Sequence, residues 1–338
     1  MSRAVWLTGP RRVELRDELL PEVGHDQLRV RARLSAISHG TEMLVYRGQV
    51  PADLPLDLPT LRGSFAFPIK YGYAGVGEVE EVGAAVLGLH PGDLVFTLHP
   101  HQDCYLVPAS LAVRLPPGLP AEAGVFYANL ETAVNVLLDT PLRFGETAVV
   151  FGQGVVGHLV ALLLKHGGAR RVIVVDPIRV RRARALQAGA AAALSPDERL
   201  AGRIHAWTDG RGADVVVEAS GAPAALQQAL SVVATQGTVV VASWYGTKPV
   251  PLTLGADFHR RRLRIVSTQV GTLDPALAPR WDLARRRDLV TTLLAELPLA
   301  GLVTHRVPFE RAADAYRLVD EHPDEVLQVV LTYDAAGR

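Results

Sequence analysis

The sequence has 338 residues, 49% of them hydrophobic, and its 35 Lys and Arg are balanced by 35 Asp and Glu. This length predicts one large or two ordinary domains, each able to bury its own core. The charge balance gives no overall attraction to nucleic acid or to a membrane, and the single cysteine, Cys104, excludes a disulfide framework or a four-cysteine zinc lobe. The N-terminus lacks an apolar signal segment and no transmembrane run is expected, so we expect a cytoplasmic protein.

Short strands separated by Gly/Pro turns are predicted over the first 120 or so residues. Apolar and polar residues alternate in them, as they do in half-buried strands; the stretches concerned are 4–7, 12–15, 27–37, 72–82 and 93–96. Residues 51–68, which contain four prolines, predict an irregular surface loop.

From about residue 121 the pattern changes to alternating helix and strand. Residues 123–138 predict a helix, residues 148–151 a buried parallel strand, and residues 172–175 a second strand. Between these two strands lies a glycine-rich turn followed by an amphipathic helix that ends at Gly167 and Gly168. Further strands are predicted at 214–221, 238–243 and 264–267, with a helix at 224–233, which gives a doubly wound sheet of about six strands.

The glycine-rich turn is the strongest functional signal. It reads Gly152-Gln153-Gly154-Val155-Val156-Gly157, and the second strand ends in Asp176. A GxGxxG turn in this strand–turn–helix–strand–acid order predicts dinucleotide binding: the glycines allow a tight turn, the approach of a pyrophosphate and close helix packing. The charge of Asp176 favours NAD over NADP, and Arg181 could flank the same ribose, although Arg179 could serve an NADP phosphate.

After residue 271, helices are predicted at 281–297 and 310–320, and a terminal strand at 326–332 is expected to return to the first domain. Ser220 lies at the end of one predicted strand, and Trp244 follows another. We expect both residues near the cofactor, because such sheets bind ligands at the carboxyl ends of their strands. Packing under a surface loop is the alternative for Trp244.

Motifs along nearly the whole chain resemble the medium-chain dehydrogenase/reductase superfamily. These are PGDLV (91–95), the complete GxGxxG turn with Asp176, and DVVVEASG (214–221). More narrowly, six segments resemble a branch of bacteriochlorophyllide dehydrogenase-like proteins. They are SAISHGTE (35–42), KYGYAGVG (70–77), LHPHQ (98–102), NLETA (129–133), FHRRRLRIVSTQVG (258–271) and RWDLARR (280–286).

The resemblance implies an α/β fold, a Rossmann doubly wound parallel sheet plus a discontinuous GroES-like β-rich catalytic domain. The boundaries we expect are 1–122 for the catalytic domain, 123–272 for the NAD(P)-binding domain and 273–338 for the return to the catalytic domain. It also implies a small-molecule substrate and a homodimer or homotetramer, paired through the strand near 239–243 or 264–267.

The chain departs from the zinc-dependent members of this superfamily at the ligand positions. Their cysteine aligns with His39, or with Ser38 if one insertion is allowed, and their Gly-His-Glu aligns with Gly72-Tyr73-Ala74. Tyrosine and alanine are poor zinc ligands, so no catalytic zinc is expected. A substituted metal site made of His39, His101 and Glu131 stays open as an alternative, because these are good ligand types.

Five residues in the resembling motifs are candidates for proton transfer: Thr41, Tyr73, His99, His101 and Glu131. By resemblance Thr41 and Tyr73 would contact the substrate oxygen, the histidines would complete a relay, and Glu131 would orient it. Each residue also has a structural interpretation: a helix cap for Thr41, a packed aromatic for Tyr73, backbone-bonded loop histidines, and a helix-start charge for Glu131.

Two arginine runs, 260–262 and 285–287, would neutralise an anionic substrate or line a subunit contact, but a solvated face is favoured for both. The sequence therefore predicts a zinc-independent, NAD-linked dehydrogenase acting on a secondary alcohol or its ketone. The alternatives are a zinc-free enoyl or quinone reductase using NADPH, a metal-dependent dehydrogenase with a rebuilt site, and a nucleotide-binding protein without catalytic activity.

Overall fold

In the computed structural model, which describes residues 1–56 and 58–333, the chain divides into two compact units. The first unit comprises residues 1–128 and the segment that begins at Thr291, and the second runs from Asn129 to Val290. Each unit has its own sheet and its own hydrophobic core. The two units are therefore described one at a time.

Seven strands precede the second unit, and the first five lie where the alternating patterns predict strands. They are β1 (Ser2–Gly9), β2 (Arg12–Glu18), β3 (Gln27–Ala36), β4 (Gly75–Val82), β5 (Leu94–Thr97), β6 (Cys104–Pro108) and β7 (Ala112–Arg114). Two short helices interrupt or follow them, α1 (Thr41–Tyr46) and α2 (Ala121–Gly124). β1 and β2 form an antiparallel pair, and β3 is the central strand, pairing with both β4 and β6.

The second unit contains a six-stranded parallel sheet. Its elements, with the helix that leads into it, are α3 (Tyr127–Asp139), β8 (Thr147–Phe151), α4 (Val155–His166), β9 (Arg171–Val175), α5 (Arg179–Gln187), β10 (Ala192–Leu194), α6 (Leu200–Trp207), β11 (Ala213–Glu218), α7 (Pro223–Val232), β12 (Val233–Val241) and β13 (Arg264–Ser267). The strand order is β10-β9-β8-β11-β12-β13. This is a doubly wound sheet whose order reverses at β8, and it confirms the predicted Rossmann fold.

The C-terminal segment completes the first unit. It begins at Thr291, within α8 (Leu283–Glu296), and contains β14 (Val303–Pro308), α9 (Ala312–Glu321) and β15 (Gln328–Thr332). β15 pairs antiparallel with β3 and parallel with β14, so the sheet order is β14-β15-β3-β4-β5-β7, with β6 also on β3. The β-rich fold is therefore discontinuous in sequence, as predicted.

The helix predicted at 123–138 is wrong at its start, because the structure has two helices there. α2 ends at Gly124 and α3 begins at Tyr127. A Cβ atom on Gly124 would lie 2.5 Å from Leu115 Cδ1. Gly124 is the last residue of α2, and because glycine is a poor helix former it favours the end of the helix at this point.

The parallel strands of the second unit are buried on both faces. Val149 and Val216 on one face, and Val150 and Val217 on the other, have no exposed surface, as expected for a sheet with helices on either side. Within the described part of the chain, no helix is both long and apolar enough to cross a membrane.

Candidate active site

The glycine-rich turn lies at the carboxyl end of β8. Gly152 has a φ of +86°, which favours glycine, and a Cβ atom there would lie 2.7 Å from the backbone nitrogen of Ser220. A Cβ atom on Gly157 would lie 1.9 Å from the carbonyl oxygen of Gly152. Two of the three motif glycines are thus required by the packing of the protein itself.

Gly154 differs from the other two glycines. It occupies the N-cap of α4 with φ −67° and ψ −175°, and no side chain caps the helix there. A Cβ atom at this position would meet no atom within 4 Å. Because the protein leaves this space open, the first turn of α4, with Val155 and Val156, presents backbone N–H groups and a helix dipole to an anion such as a pyrophosphate.

Replacing Gly154 with alanine is expected to weaken NADH binding about tenfold or more while changing the free energy of unfolding by less than about 0.5 kcal/mol. The added methyl group fits the free protein but occupies the space through which a pyrophosphate approaches. Fluorescence titration with NADH and urea denaturation measure the two effects.

A matched control is Gly202→Ala. A Cβ atom on Gly202 would also meet no atom within 4 Å, but Gly202 lies on α6. We expect that variant to bind NADH like the wild type and to unfold at a slightly higher urea concentration. Equal NADH affinity in Gly154→Ala and Gly202→Ala would contradict the assignment of Gly154.

Asp176 braces the glycine-rich turn. Its carboxylate accepts hydrogen bonds from the backbone N–H of Gln153 at 2.6 Å and of Ile178 at 2.7 Å, and only 3% of the residue is exposed. The side-chain amide of Gln153 (Nε2) in turn donates to the backbone carbonyl of Gly152 at 2.8 Å. The sequence predicted only a ribose contact for Asp176; the structure adds the role of fixing the turn.

The other predicted cofactor residues lie in separate elements of the second unit. Arg181 is half-buried on α5, Ser220 is in the turn after β11, and Trp244 is in the loop after β12 with 36% of its surface exposed. Ser220 and Trp244 thus both follow the carboxyl ends of parallel strands, the edge where such sheets bind ligands.

In the first unit, Tyr73 and Ser38 form a hydroxyl pair. The phenolic O–H of Tyr73 donates to Ser38 Oγ at 2.5 Å, and both residues are half-buried. Sequence reasoning chose Tyr73 but considered Ser38 only as an aligned ligand position. A hydroxyl chain can accept or release a proton at one end while the other end stabilises the resulting charge, so this pair is suited to proton transfer.

His101 lies in a fully buried polar network behind this pair. One ring nitrogen, Nε2, contacts Glu42 Oε1 at 2.8 Å and the other, Nδ1, contacts Ser35 Oγ at 2.6 Å. Glu42 also accepts hydrogen bonds from the backbone N–H of Ser38 at 3.1 Å and from the hydroxyl of Tyr316. With no exposed surface, His101 is placed to orient Glu42 and the Ser38 backbone rather than to touch a substrate.

Sequence reasoning missed Glu42, although a signal exists. It is the one charged residue in the helix sequence TEMLVY, and the structure buries it completely. A carboxylate within an otherwise apolar helix needs partners if it is buried. In this chain His101, Tyr316 and Ser38 supply them.

His99 is half-buried and its ring stacks on that of Tyr105 at 3.8 Å. Burial lowers the pKa of His99 to about 3, so the ring is neutral near pH 7. Its Nδ1 lies 2.9 Å from the carbonyl oxygen of Pro100 and must carry the proton, because a carbonyl only accepts. Nε2 therefore holds a lone pair and can serve as an acceptor.

Because the pKa of His99 is depressed, we expect the free energy of unfolding to decrease as the pH is lowered. The unfolded histidine titrates near pH 6.5 and the folded one at about 3, so the unfolded chain binds more protons between these values. The contribution of neutral His99 to the free energy of unfolding is fully present above about pH 6.5. It is lost at up to about 1.4 kcal/mol per pH unit as the pH falls toward 3.

Urea denaturation of the wild type and of His99→Gln between pH 4 and 8 checks this expectation, because the other titrating groups are common to both proteins. The difference in free energy of unfolding should be constant above pH 7 and change steadily below pH 6. Curves that stay parallel down to pH 4 would show that burial does not depress this pKa.

Thr41 and Glu131 complete the predicted set. Thr41 is the first residue of α1, but the N-cap is Gly40 and no side chain caps the helix, so the helix-cap interpretation of Thr41 is wrong. Glu131 lies on α3 in the second unit, and its Oε1 accepts a hydrogen bond from Arg286 Nη2 at 2.9 Å. The structure thus gives Glu131 a charged partner that the sequence did not predict.

The solvated face favoured for the two arginine runs is wrong for one residue of each. The Arg286 side chain is only 4% exposed, and it also donates to Asn135 Oδ1 at 2.6 Å and to the carbonyl of Val270 at 2.7 Å. Arg261 donates to the carbonyl of Val233 and is half-buried. In both cases an arginine ties together elements that are distant in sequence.

The side chains of Ser38, Tyr73 and Ala74, at aligned ligand positions, do not suit a zinc ion. Ser38 and Tyr73 hydrogen-bond to each other and Ala74 has no donor atom. Of the residues weighed for a substituted metal site, His101 has both ring nitrogens engaged and Glu131 is paired with Arg286. Among the residues that the structure describes, no three His, Cys, Asp or Glu side chains are grouped so that they could hold a metal ion.

Comparisons with known proteins agree with this fold. The family "Zinc-binding dehydrogenase" matches residues 155–285. The chain is 30% identical to 2-desacetyl-2-hydroxyethyl bacteriochlorophyllide A dehydrogenase of Cereibacter sphaeroides, with 99% of each protein covered. It is 29% identical to D-guloside 3-dehydrogenase of Escherichia coli, with 91% of this chain and 93% of that protein covered.

A similar solved structure is that of 2R,3R-butanediol dehydrogenase from Bacillus subtilis. The superposition has a TM-score of 0.82 at 20% sequence identity. It covers 99% of this chain and 100% of the butanediol dehydrogenase chain. The two folds therefore agree over nearly the full length. Together with the 30% identity to the bacteriochlorophyllide enzyme over both whole chains, this shows that the chain belongs to the medium-chain dehydrogenase/reductase superfamily and is an oxidoreductase of the alcohol dehydrogenase type.

Proposed function

We propose that this protein is an NAD-linked oxidoreductase that interconverts a secondary alcohol and a ketone without a catalytic zinc ion. The observation that carries the proposal is the Tyr73–Ser38 hydroxyl pair, 2.5 Å between oxygens, at the positions where zinc-dependent relatives are expected to hold ligands. A proton donor and a second hydroxyl stand where a Lewis acid would otherwise polarise the substrate oxygen.

The glycine-rich turn supports a nicotinamide dinucleotide as the cofactor. Gly154 and the uncapped start of α4 suit the pyrophosphate, and Asp176 at the end of β9 adds a negative charge that disfavours a 2′-phosphate. When bound, this cofactor supplies hydride transfer at its nicotinamide ring. NAD is therefore preferred over NADP in this proposal.

Tyr73 would handle the proton. In the direction of ketone reduction its phenolic O–H protonates the substrate oxygen, and in alcohol oxidation the phenolate takes that proton back. Ser38 Oγ, already hydrogen-bonded to Tyr73, donates to the phenolate and lowers its free energy. Glu42 accepts a hydrogen bond from the Ser38 backbone N–H at 3.1 Å, and His101 contacts Glu42 in turn. Both are therefore positioning residues.

A secondary alcohol is the substrate class that the relatives favour. The names of D-guloside 3-dehydrogenase and L-threonine 3-dehydrogenase place the reacting group at carbon 3. A hydroxyl pair of this kind can exchange a proton with an alcohol oxygen, and it could also protonate the enolate that hydride addition to a conjugated C=C bond leaves. The dehydrogenase names of the relatives, rather than the hydroxyl pair, therefore favour alcohol chemistry over an enoyl or quinone reductase.

The experiment that tests the proposal combines elemental analysis of the purified protein with cofactor titration and turnover. We expect less than about a tenth of a zinc per chain, where a catalytic site would hold one, tighter binding of NADH than of NADPH, and NAD reduction with secondary alcohols. Stoichiometric zinc whose removal by a chelator abolishes turnover would overturn the zinc-free mechanism. Binding of NADH without turnover over a broad alcohol panel would overturn the proposed reaction.

A further inference from the structure

Glu218 is a completely buried carboxylate in the second unit that the proposed chemistry does not use. It is the last residue of β11 and has no exposed surface. Burying a carboxylate is costly unless hydrogen bonds compensate it, so its partners indicate what it holds in place.

Three of these partners belong to the turn that follows β11. Glu218 Oε1 accepts hydrogen bonds from the backbone N–H of Ser220 at 2.7 Å and of Gly221 at 3.1 Å, and from the Ser220 hydroxyl. Ser220 Oγ also accepts a hydrogen bond from the backbone N–H of Ala222 at 3.1 Å. The backbone donors of this strand–helix turn are thus satisfied from within the protein.

The fourth partner lies in the loop after β12. Tyr245 donates its hydroxyl proton to Glu218 Oε2 at 2.6 Å, and burial together with this negative charge raises the pKa of Tyr245 above its usual value, which keeps it a donor. Lys248 donates to the carbonyl of Gly221 at 3.0 Å. One carboxylate therefore joins the loops at the ends of two neighbouring parallel strands.

The turn that Glu218 fixes is also the surface on which the glycine-rich turn rests. Any side chain on Gly152 would collide with Ser220, whose backbone nitrogen lies 2.7 Å from the position of a Cβ atom. A displacement of Ser220 would therefore release Gly152, and with it the start of α4. Each of the two neighbouring turns has a buried carboxylate that accepts from its backbone: Asp176 accepts from Gln153 N–H, and Glu218 accepts from Ser220 N–H.

We propose that Glu218 is a positioning residue for the dinucleotide: its carboxylate fixes the 219–222 turn against Gly152 and so preorganises the pyrophosphate-binding start of α4. This inference rests on the proposed function, since it assumes a dinucleotide at the glycine-rich turn. The role is geometric, because the carboxylate oxygens act as acceptors at set distances. The same contacts occupy the backbone N–H groups of Ser220 and Gly221.

Two conservative variants separate geometry from charge. Glu218→Gln keeps the length of the side chain, so its oxygen can accept from Ser220 and Gly221 while its amide donates to the Tyr245 oxygen. Glu218→Asp keeps the charge but withdraws the carboxylate by one methylene. We expect Glu218→Asp to raise the Kd for NADH and for ADP-ribose about tenfold or more, and Glu218→Gln to stay within about threefold of the wild type.

The Kd for adenosine, measured by competition, distinguishes the proposed effect from a general loss of structure. A general loss of structure would weaken adenosine binding as well. Adenosine lacks the pyrophosphate, so its Kd should be the same in all three proteins. Glu146→Asp is the matched control, because Glu146 caps Arg143 N–H at 2.7 Å in the turn before β8, at the opposite end of that strand. Its affinity for NADH should equal that of the wild type.

Each result has a separate meaning. Loss of affinity in Glu218→Gln with Glu218→Asp unaffected would replace the geometric role with a charge effect and overturn the inference. Equal affinity in all variants would overturn it too, while the proposed function stands. Failure of the wild type to bind NADH would overturn the proposed function and this inference with it.

Discussion

Replacing Tyr73 with phenylalanine is expected to lower kcat for a secondary alcohol by roughly 100- to 1,000-fold, with KM changed by less than about threefold. The ring still packs against Tyr71, with the centroids 6.1 Å apart, so this packing contact is kept. What is lost is the O–H that donates to Ser38 Oγ at 2.5 Å and that we propose to exchange a proton with the substrate. Steady-state kinetics with NAD and the best alcohol of the panel measure the effect.

Ser38→Ala serves as the second member of this test. It removes the hydroxyl that we propose to donate to the phenolate but leaves the phenol in place, so we expect a loss of kcat of about tenfold, the value of one hydrogen bond to a developing charge. Tyr46→Phe is the matched control, since Tyr46 is a buried tyrosine of the same unit that packs on Tyr316. A kcat for Tyr73→Phe equal to that of Tyr46→Phe would exclude Tyr73 as the proton donor.

Replacing Arg286 with methionine is expected to lower the free energy of unfolding by about 3–5 kcal/mol, the cost of breaking a buried ion pair by removing one partner. Arg286 donates to Glu131, Asn135 and Val270, at 2.9, 2.6 and 2.7 Å. Methionine fills most of the volume, so the loss comes from the stranded polar groups: the Glu131 side chain is 13% exposed and Asn135 is 1% exposed.

The measurement is the shift of the urea midpoint for Arg286→Met relative to the wild type. Arg287→Met is the matched control, because Arg287 is the next residue of α8 and is exposed; we expect a change within about 0.5 kcal/mol there. A double variant with Glu131→Gln should lose less than the sum of the single losses, since both changes remove the same interaction. Strict additivity would show that the two residues do not depend on each other.

The parallel sheet was predictable because its signals are local. Apolar runs of four to six residues, a glycine-rich turn and Asp176 recur in the order that a right-handed crossover requires, and the structure places them as β8, α4 and β9. Gly152, with its positive φ, is a position where the backbone alone dictates the residue. The return of the last strand to the first unit followed from family resemblance, and the pairing of β15 with β3 agrees with it.

The site could be predicted only in part, since its contacts join distant residues. His101 was chosen for its type and motif, but its partner Glu42 is 59 positions away and its burial depends on how β3, α1 and α9 pack. Likewise, Arg286 lies in a run of three arginines that suggests an exposed face, and its partner Glu131 is 155 positions away. No periodicity within the run marks which of the three faces inward.

The sequence by itself determined the fold class, the glycine-rich turn and the absence of zinc-type side chains at Tyr73 and Ala74. These depend on residue type, spacing and backbone torsion, which near neighbours fix. Only the tertiary structure decided that Ser38 pairs with Tyr73, that Asp176 braces Gln153 and that Glu218 fixes the turn beside Gly152. Hydrogen bonds act over about 3 Å, so such partnerships exist only once packing has brought remote segments together.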